Sequence, residues 1–189
     1  MKRLLVVVDF QNDFVDGSLG FPGAEKLEVP IAEKIIEYRG AGDEIVFTQD
    51  THPKNYLATQ EGTLLPVEHC IEGTPGEEFY GQVSKLMSEN DLVFEKSSFG
   101  SVGLSIFLAR RQNAAEEANV LPFSSIELVG LVSNICVLAN VVIAKTVCPE
   151  VPILLDARCT ASYDKKLHEE SLDIMEGLQV HITNRQPKE

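Results

Sequence analysis

The cysteine at position 136 stands in the most chemically suggestive setting of the chain. It closes the run 130–136, between an apolar strand that ends at Leu131 and a helical pattern that begins at the cysteine itself. Unpaired N–H groups at a helix N-terminus favour a thiolate, and the same groups could bind the oxyanion of an attacked carbonyl. The setting therefore indicates a nucleophile, although a lone cysteine there can equally be a small buried hydrophobe.

Two further strands end in a charged residue. Asp9 follows the apolar run Leu4–Val8, and Lys96 follows Leu92–Glu95. A carboxylate at the end of a buried strand is poorly solvated, so its pKa can rise toward the range of a general base, and a lysine beside a thiol can lower the thiol's pKa. Considered separately, Asp9 could be an ordinary turn aspartate and Lys96 an ordinary solvated lysine. Read with Cys136, they predict an acid, a base and a thiol converging on one crevice.

A second group of chemical residues lies in the loop that follows the second predicted strand. Asp50 and His52 stand two residues apart, and His69 follows seventeen residues after His52. Two histidines and one carboxylate suit zinc, iron or manganese, and they leave coordination positions open. The alternative is a turn aspartate with two surface histidines.

Short apolar runs alternate with amphipathic stretches along the chain, which predicts a doubly wound parallel sheet with right-handed crossovers. Two long irregular segments, 11–27 and 50–76, are expected to be functional, whereas 113–124 reads as an acidic surface excursion. The predicted strands are Leu4–Val8, Glu44–Thr48, Leu92–Glu95, Ile126–Leu131, Ile153–Asp156 and Val180–Thr183. The predicted helices are Val29–Arg39, Glu77–Ser88, Val102–Gln112, Cys136–Cys148 and Lys165–Leu178.

Length and composition predict one domain over residues 1–189, with a frayed tail at 186–189. The net charge of −13 argues against nucleic acid or an anionic membrane as a partner, because both require a basic face. No stretch approaches the roughly 20 apolar residues of a membrane span, and Asp9 interrupts the first apolar run too early for a signal peptide. The four cysteines form no CxxC pair, which favours reduced thiols in the cytoplasm. The oligomeric state stays open, with a homo-oligomer among the options.

In this order, the residues resemble the isochorismatase-like cysteine hydrolases and, within them, the nicotinamidases. The resemblance covers about residues 3 to 184 and rests on Lys96 and on the stretches Val8–Phe14, Asp50–Pro53, His69–Gly76 and Gly130–Val137. It implies a three-layer α/β/α sandwich around a six-stranded, mainly parallel sheet. It also implies a divalent metal on Asp50, His52 and His69, for which zinc is the first choice and iron or manganese are alternatives.

The same resemblance implies a catalytic triad of Asp9, Lys96 and Cys136. It further implies a cis peptide between Leu131 and Val132, which would direct the Val132 N–H, together with that of Cys136, at the oxyanion. Both implications are expectations for the structure to test.

The chain departs from the nicotinamidase pattern at two places. Nicotinamidases usually carry Thr-Asp where this chain has Ser133-Asn134, and they often carry Trp-Pro where it has Leu64–Glu68. The chain contains no tryptophan. An aromatic wall for a pyridine ring is therefore altered, and Phe14 and Phe99 are the candidates to line the substrate pocket.

Together these features predict a cysteine-dependent amidohydrolase that cleaves a small-molecule amide to acid and ammonia through a thioester. Nicotinamide is the leading substrate, and an N-carbamoyl (ureido) compound is the second choice. One alternative is an isochorismatase-type hydrolase of a vinyl ether, which does not need the cysteine. Another is a non-catalytic binding module on the same fold, against which the intact acid, lysine and thiol argue.

Overall fold

A computed structural model of the chain describes residues 1–186. Within that range, six parallel strands form one sheet in the order β3-β2-β1-β4-β5-β6. The strands are β1 (Leu4–Val8), β2 (Glu44–Asp50), β3 (Leu92–Lys96), β4 (Ile126–Leu131), β5 (Ile153–Ala161) and β6 (His181–Thr183). The tail predicted to fray, 186–189, lies outside the described residues except for Gln186.

The helices are α1 (Asn12–Val15), α2 (Glu28–Gly40), α3 (Gln60–Leu64), α4 (Gly81–Leu86), α5 (Val102–Glu117), α6 (Leu138–Val147) and α7 (Lys165–Gly177). Helices α2 and α4 pack on one face of the sheet, and α5, α6 and α7 pack on the other. The strand β1 serves both layers, because Leu4 and Val6 join one core while Leu5 and Val7 join the other. The predicted three-layer α/β/α sandwich is confirmed, and all neighbouring strands are parallel.

The strand order places the switch point of the sheet between β1 and β4. From β1 the chain builds outward through β2 and β3, and then returns to the other side of β1 with β4. Ligands of open α/β sheets bind beyond the carboxyl ends of the strands at such a point. The backbones also approach closely there, because a Cβ on Gly130 would lie 1.9 Å from the Val8 carbonyl oxygen. Gly130 has a φ of +117°, which side-chain-bearing residues rarely adopt.

Several predicted boundaries were wrong. Helix α5 continues to Glu117, so the segment predicted as a surface excursion is helical in its first part. The helix predicted over 77–88 is a 3-10 turn at Pro75–Glu77 followed by the short α4. Strand β5 extends five residues past its predicted end. These errors arise because tertiary contacts decide where such helices and strands end. A stretch of mixed polar and apolar residues does not show those ends in the sequence.

Strand β3 is also less buried than its apolar sequence suggested. Leu92 and Val93 are exposed, because β3 is an edge strand of the sheet. Only its last residue, Lys96, is buried, and the side chain of Lys96 extends toward the switch point. Among residues 1–186, no helix combines the length and the apolar character that crossing a membrane requires.

Candidate active site

Three of the predicted site residues meet at the carboxyl edge of the sheet. The Lys96 ammonium lies 2.7 Å from Asp9 Oδ2 and 3.8 Å from Cys136 Sγ. All three side chains are buried. They come from the ends of β1 and β3 and from the turn after β4, which are not consecutive in the chain. The predicted convergence of acid, lysine and thiol is therefore present in the structure.

Asp9 is held in an unusual local conformation. Its φ is +45°, its side chain is fully buried, and Oδ1 accepts a 2.6 Å hydrogen bond from the Thr48 hydroxyl. Oδ2 has no hydrogen-bond partner, because its contact with Lys96 is an ion pair without hydrogen-bond geometry. Burial raises the pKa of Asp9, and Lys96 opposes the rise. An oxygen with a free lone pair and a raised pKa suits a general base.

Cys136 lies inside a π-helical turn, Ser133–Val137, rather than at the first residue of a helix. The α-helix α6 starts two residues later, at Leu138. Burial and the negative charge of Asp9 raise the pKa of the Cys136 thiol well above its ordinary value, and the nearby Lys96 only partly offsets this. In the structure, burial and Asp9 outweigh the helix terminus and Lys96, which the sequence suggested could lower the thiol's pKa. The thiol requires a base to remove its proton.

The chain reaches the cysteine through a cis peptide between Leu131 and Val132, as the resemblance implied. The turn that follows is fixed from two sides. The buried Asn140 donates to the carbonyl oxygen of Cys136, and His168 Nδ1 lies 2.9 Å from the Ser133 hydroxyl. His168 on α7 is half-buried, and it contacts the turn that carries the thiol.

The three predicted metal ligands also come together. Asp50 ends β2, and both His52 Nε2 and His69 Nε2 face its Oδ2, at 2.9 and 3.5 Å. One donor atom of each residue lies within 4.8 Å of the others, and all three are buried. The Lys96 ammonium contacts Asp50 Oδ1 at 2.9 Å. A single lysine, Lys96, therefore links the three candidate metal ligands to the thiol.

The donor atoms have the character that a divalent metal requires. His52 Nε2 is buried and has no hydrogen-bond partner. His69 Nδ1 donates to the Val67 carbonyl, which orients Nε2 toward the cluster. His52, His69 and Lys96 lower the pKa of Asp50 against the opposing effect of burial, so the carboxylate is ionised. Two imidazole nitrogens and one carboxylate fit zinc, iron or manganese.

Side chains from the first long loop hold the cluster in place. Gln11 is buried and makes paired hydrogen bonds with Asp50, donating to its carbonyl and accepting from its N–H. Asp13 Oδ2 accepts the N–H of Cys70, the residue after His69. A Cβ on Gly76 would lie 2.0 Å from the same carboxylate, so only glycine fits there. Asp13 therefore organises this part of the loop.

Glu61 is a candidate ligand that sequence reasoning missed. It lies on α3, and its Oε1 is 3.9 Å from His52 Nε2 and 3.8 Å from His69 Nε2. Apart from Asp50, it is the only carboxylate within 4 Å of both histidines among the described residues. A carboxylate inside the loop between two candidate ligands is a signal that could have been weighed. Glu61 can complete a four-donor set or hold a water on the metal.

A cavity of about 230 Å³ opens over the thiol and the metal cluster. The predicted pocket residues Phe14 and Phe99 both line it, as does Val132. Its remaining lining residues are Leu19, Asp50, Glu61, Leu65, His69, Ile135, Cys136 and Tyr163. Most of this wall is apolar, and the polar groups gather at one end. Such a cavity is suited to a small ring that carries one reactive polar group.

Two tyrosines contribute features that the sequence did not predict. Tyr56 is fully buried, packs edge-on against His52 and His69 with ring centroids 4.7 and 4.9 Å away, and donates its hydroxyl to the Leu65 carbonyl. Tyr163 lines the cavity just after β5 ends. The rule that strand ends face the crevice would have flagged Tyr163. Nothing in the sequence around Tyr56 indicated its packing.

Removing one candidate ligand should weaken the binding of a divalent metal. We expect His69→Ala to bind divalent metal at least roughly 10–100-fold more weakly, since even residues that only support a ligand have effects of that size. His181→Ala is the matched control, because His181 is exposed on β6. Elemental analysis after dialysis against limiting zinc, iron or manganese reads out the result. Equal metal content in both variants would contradict the site.

Solved structures place this architecture in a known class. The crystal structure of the nicotinamidase/pyrazinamidase PncA from Bacillus subtilis aligns with a TM-score of 0.81 at 28% identity, covering 97% of this chain and 100% of that one. The Pyrococcus horikoshii pyrazinamidase, crystallised in complex with zinc, aligns with a TM-score of 0.79 at 23% identity, covering 98% of this chain and all of that one, which shows the shared fold. The molecule is an amidohydrolase of the class that cleaves non-peptide C–N bonds.

The sequence itself matches a family. Residues 3–186 fit the model described as Isochorismatase domain. The chain is also 29% identical over 180 residues to PncA, an isochorismatase family protein of Bacillus subtilis (strain 168), covering 89% of this chain and 91% of that protein. The chain therefore belongs to the isochorismatase family, and the predicted family and enzyme class are confirmed.

Proposed function

We propose that this protein hydrolyses nicotinamide or a closely related small heteroaromatic amide through a cysteine thioester, with Asp9, Lys96 and Cys136 as its catalytic residues. The observation that supports this most is the Cys136 thiol at the end of a small apolar cavity, beside the Lys96–Asp9 ion pair. The relatives and structural neighbours named nicotinamidase favour the same substrate.

In the first half-reaction, the Asp9 carboxylate takes the Cys136 proton and Sγ attacks the amide carbonyl carbon. Lys96 stabilises the thiolate that forms, because its ammonium lies 3.8 Å from Sγ and also contacts Asp9. The backbone N–H groups of Val132 and Cys136 bind the carbonyl oxygen as it becomes an oxyanion. The C–N bond then breaks, Asp9 returns its proton to the nitrogen, and ammonia leaves a thioester on Cys136.

In the second half-reaction, Asp9 takes a proton from a water that attacks the thioester carbonyl. The C–S bond breaks, the carboxylic acid leaves, and the thiol recovers its proton. One carboxylate therefore acts as base twice and as acid twice. This use agrees with a pKa that burial raises.

The residues Asp50, His52 and His69, with Glu61 nearby, would hold the divalent metal, with zinc as the first choice. A bound metal supplies a Lewis acid that can fix a ring nitrogen or a water. Gln11 holds the Asp50 ligand in place through its hydrogen bonds. Lys96 contacts both the Asp50 carboxylate and the thiol.

The cavity favours one aromatic ring as substrate. Its volume of about 230 Å³ is below the roughly 300–1,000 Å³ of common ligand pockets. Phe14 is nearly buried and packs against His69 with ring centroids 5.6 Å apart, so its face borders the metal end of the cavity. Phe99 is half exposed and closes the outer side.

Ammonia release across an amide panel tests the proposal. We expect nicotinamide to be hydrolysed faster than aliphatic amides or ureido compounds at matched concentrations. Phe14→Ala should raise KM for nicotinamide roughly tenfold, because aromatic pairing adds up to about 1.5 kcal/mol beyond burial. Phe107→Ala is the control, since Phe107 lies on α5 away from the cavity.

The second candidate is hydrolysis of an N-carbamoyl compound by the same thiol. Efficient cleavage of a ureido compound, with nicotinamide untouched, would replace the nicotinamidase proposal and keep the thioester mechanism. Hydrolysis of a vinyl ether in the absence of Cys136 would defeat both.

Selective labelling of Cys136 is a further expected result. The other thiols are fully buried and none lines the cavity, and burial raises the pKa of Cys148 to about 11 and that of Cys159 to about 12. Cys136 also has a raised pKa, but it opens to the cavity beside its own base. Limiting iodoacetamide followed by mass spectrometry should modify Cys136 first. Earlier modification of Cys70 would count against the assignment.

We further propose that the whole chain acts as one hydrolase domain in a reducing, cytoplasmic compartment. The single sheet spans almost its full described length, and the four cysteines are unpaired. Purification without reductant, followed by thiol titration, should still find four free thiols.

A further inference from the structure

The cavity over the thiol opens into a second, larger groove. The groove has a volume of about 630 Å³ and shares four lining residues with the inner cavity, namely Glu61, Leu65, Phe99 and Ile135. Cys136 lines only the inner cavity, so the groove extends away from the reacting atoms. A substrate that fills only the inner cavity would leave the larger space unused.

The groove differs from the inner cavity in chemical character. Its own wall includes the polar side chains of Gln60, Ser97 and Ser98. None of these three makes a hydrogen bond within residues 1–186. Thr59 also lines the groove, but its hydroxyl is already engaged with Tyr56 and Gly62. The groove thus presents an amide and two hydroxyls that are free to bind a polar group.

The charges around the groove limit what that polar group can be. Neither lysine nor arginine lines it, and Glu61 is its only carboxylate. An anionic group such as a phosphate or a carboxylate would meet one negative side chain and no lysine or arginine, on a chain of net charge −13. Hydroxyl and amide groups, by contrast, can both donate to and accept from serine and glutamine.

We propose that this groove is a second substrate subsite, which takes an uncharged, hydrogen-bonding arm attached to the ring of the amide. The inference rests on the proposed function in placing the reacting ring in the inner cavity. It narrows the substrate class to heteroaromatic amides that carry a hydroxylated or amide-bearing substituent. Leu65 and Phe99 form the shared wall, and they pack against the atoms that join ring and arm.

Blocking the groove tests the subsite by kinetics. The probes are nicotinamide and nicotinamide with a hydroxyethyl arm on the ring carbon para or meta to the amide. Wild-type protein should process at least one armed amide with a kcat/KM no lower than that for nicotinamide. Ser98→Phe should lower the kcat/KM of that armed amide by roughly tenfold or more while leaving that of nicotinamide unchanged. Ser124→Phe is the control, because Ser124 is exposed before β4 at the opposite end of the strands.

A binding measurement reads the groove without relying on turnover. The chain has no tryptophan, so Leu64→Trp introduces a single fluorophore on the groove wall, where Leu64 is 79% exposed. The armed amide should change the emission of this variant, and nicotinamide should change it much less. Val120→Trp is the control, since Val120 is exposed but lines neither cavity.

The outcomes separate the subsite from the proposed function. A change in Leu64→Trp emission with no hydrolysis of any amide would support the subsite and sink the nicotinamidase proposal. Hydrolysis of nicotinamide, with no emission change and no shift in selectivity in Ser98→Phe, would overturn the subsite alone. A carboxyethyl arm that binds as tightly as the hydroxyethyl arm would overturn its preference for uncharged groups.

Discussion

Cys136→Ala is expected to lose amide hydrolysis by roughly a thousandfold or more, because none of the other three thiols lines the cavity and could replace the nucleophile. Asp9→Asn should lose a similar factor. Its amide cannot accept the thiol proton, and the Cys136 thiol has a raised pKa that keeps it protonated at neutral pH. The double variant should hydrolyse the amide only slightly more slowly than either single variant, because losing one member of a catalytic unit already removes most of the rate.

The control for these variants is Cys148→Ala. Cys148 is buried beyond the end of α6, in the apolar core and away from the cavity. We expect it to lose some stability and to keep its specific activity. Ammonia release and circular dichroism, measured on all four proteins, separate loss of chemistry from loss of fold. Substantial turnover in folded Cys136→Ala would rule out the thioester.

Lys96→Met is expected to lower the free energy of unfolding by about 3–5 kcal/mol, the usual cost of removing one partner from a buried ion pair. The lysine side chain is 2% exposed and lies between the carboxylates of Asp9 and Asp50. Without it, two buried negative charges face each other. Urea denaturation in the presence of a chelator measures the loss, since bound metal would otherwise compensate at Asp50.

Lys34→Met is the matched control for that loss. Lys34 also bridges two carboxylates, with Nζ at 2.7 Å from Glu127 and 3.7 Å from Asp156, but its side chain is 20% exposed. Glu127 keeps the Tyr38 hydroxyl and Asp156 keeps the guanidinium of Arg158. The loss in Lys34→Met should therefore be clearly smaller. If Lys34→Met lost as much free energy of unfolding as Lys96→Met, or more, Lys96 would not be the residue that neutralises the buried carboxylates of the site.

The sequence by itself determined the architecture and the identity of the chemical groups. Buried parallel strands require nearly continuous apolar runs, so the runs at Leu4–Val8 and Ile126–Leu131 were readable without a structure. Parallel strands also align their carboxyl ends at one edge of the sheet. Asp9, Lys96 and the turn holding Cys136 were therefore bound to approach one another once those strands were recognised.

Only some of the site residues in the long loop between β2 and β3 could be predicted from the sequence. Its histidines stood out because the chain has just four, and both lie with Asp50 in the cluster. Glu61 and Tyr56 did not stand out, since a glutamate and a tyrosine in a loop are ordinary surface residues by composition. Their positions depend on how α3 folds back over the histidines, which no local periodicity records.

Only the tertiary structure decided the electrostatics of the thiol. Sequence reasoning placed Cys136 at a helix terminus and expected a lowered pKa, whereas burial and Asp9 raise it. A pKa depends on desolvation and on charges from distant parts of the chain, and these are properties of the folded packing. For the same reason, the contact of Lys96 with Asp50 and the contact of His168 with Ser133 had no signal in the sequence. Each joins residues at least 35 positions apart, whose side chains meet only when the sheet and its helical layers are assembled.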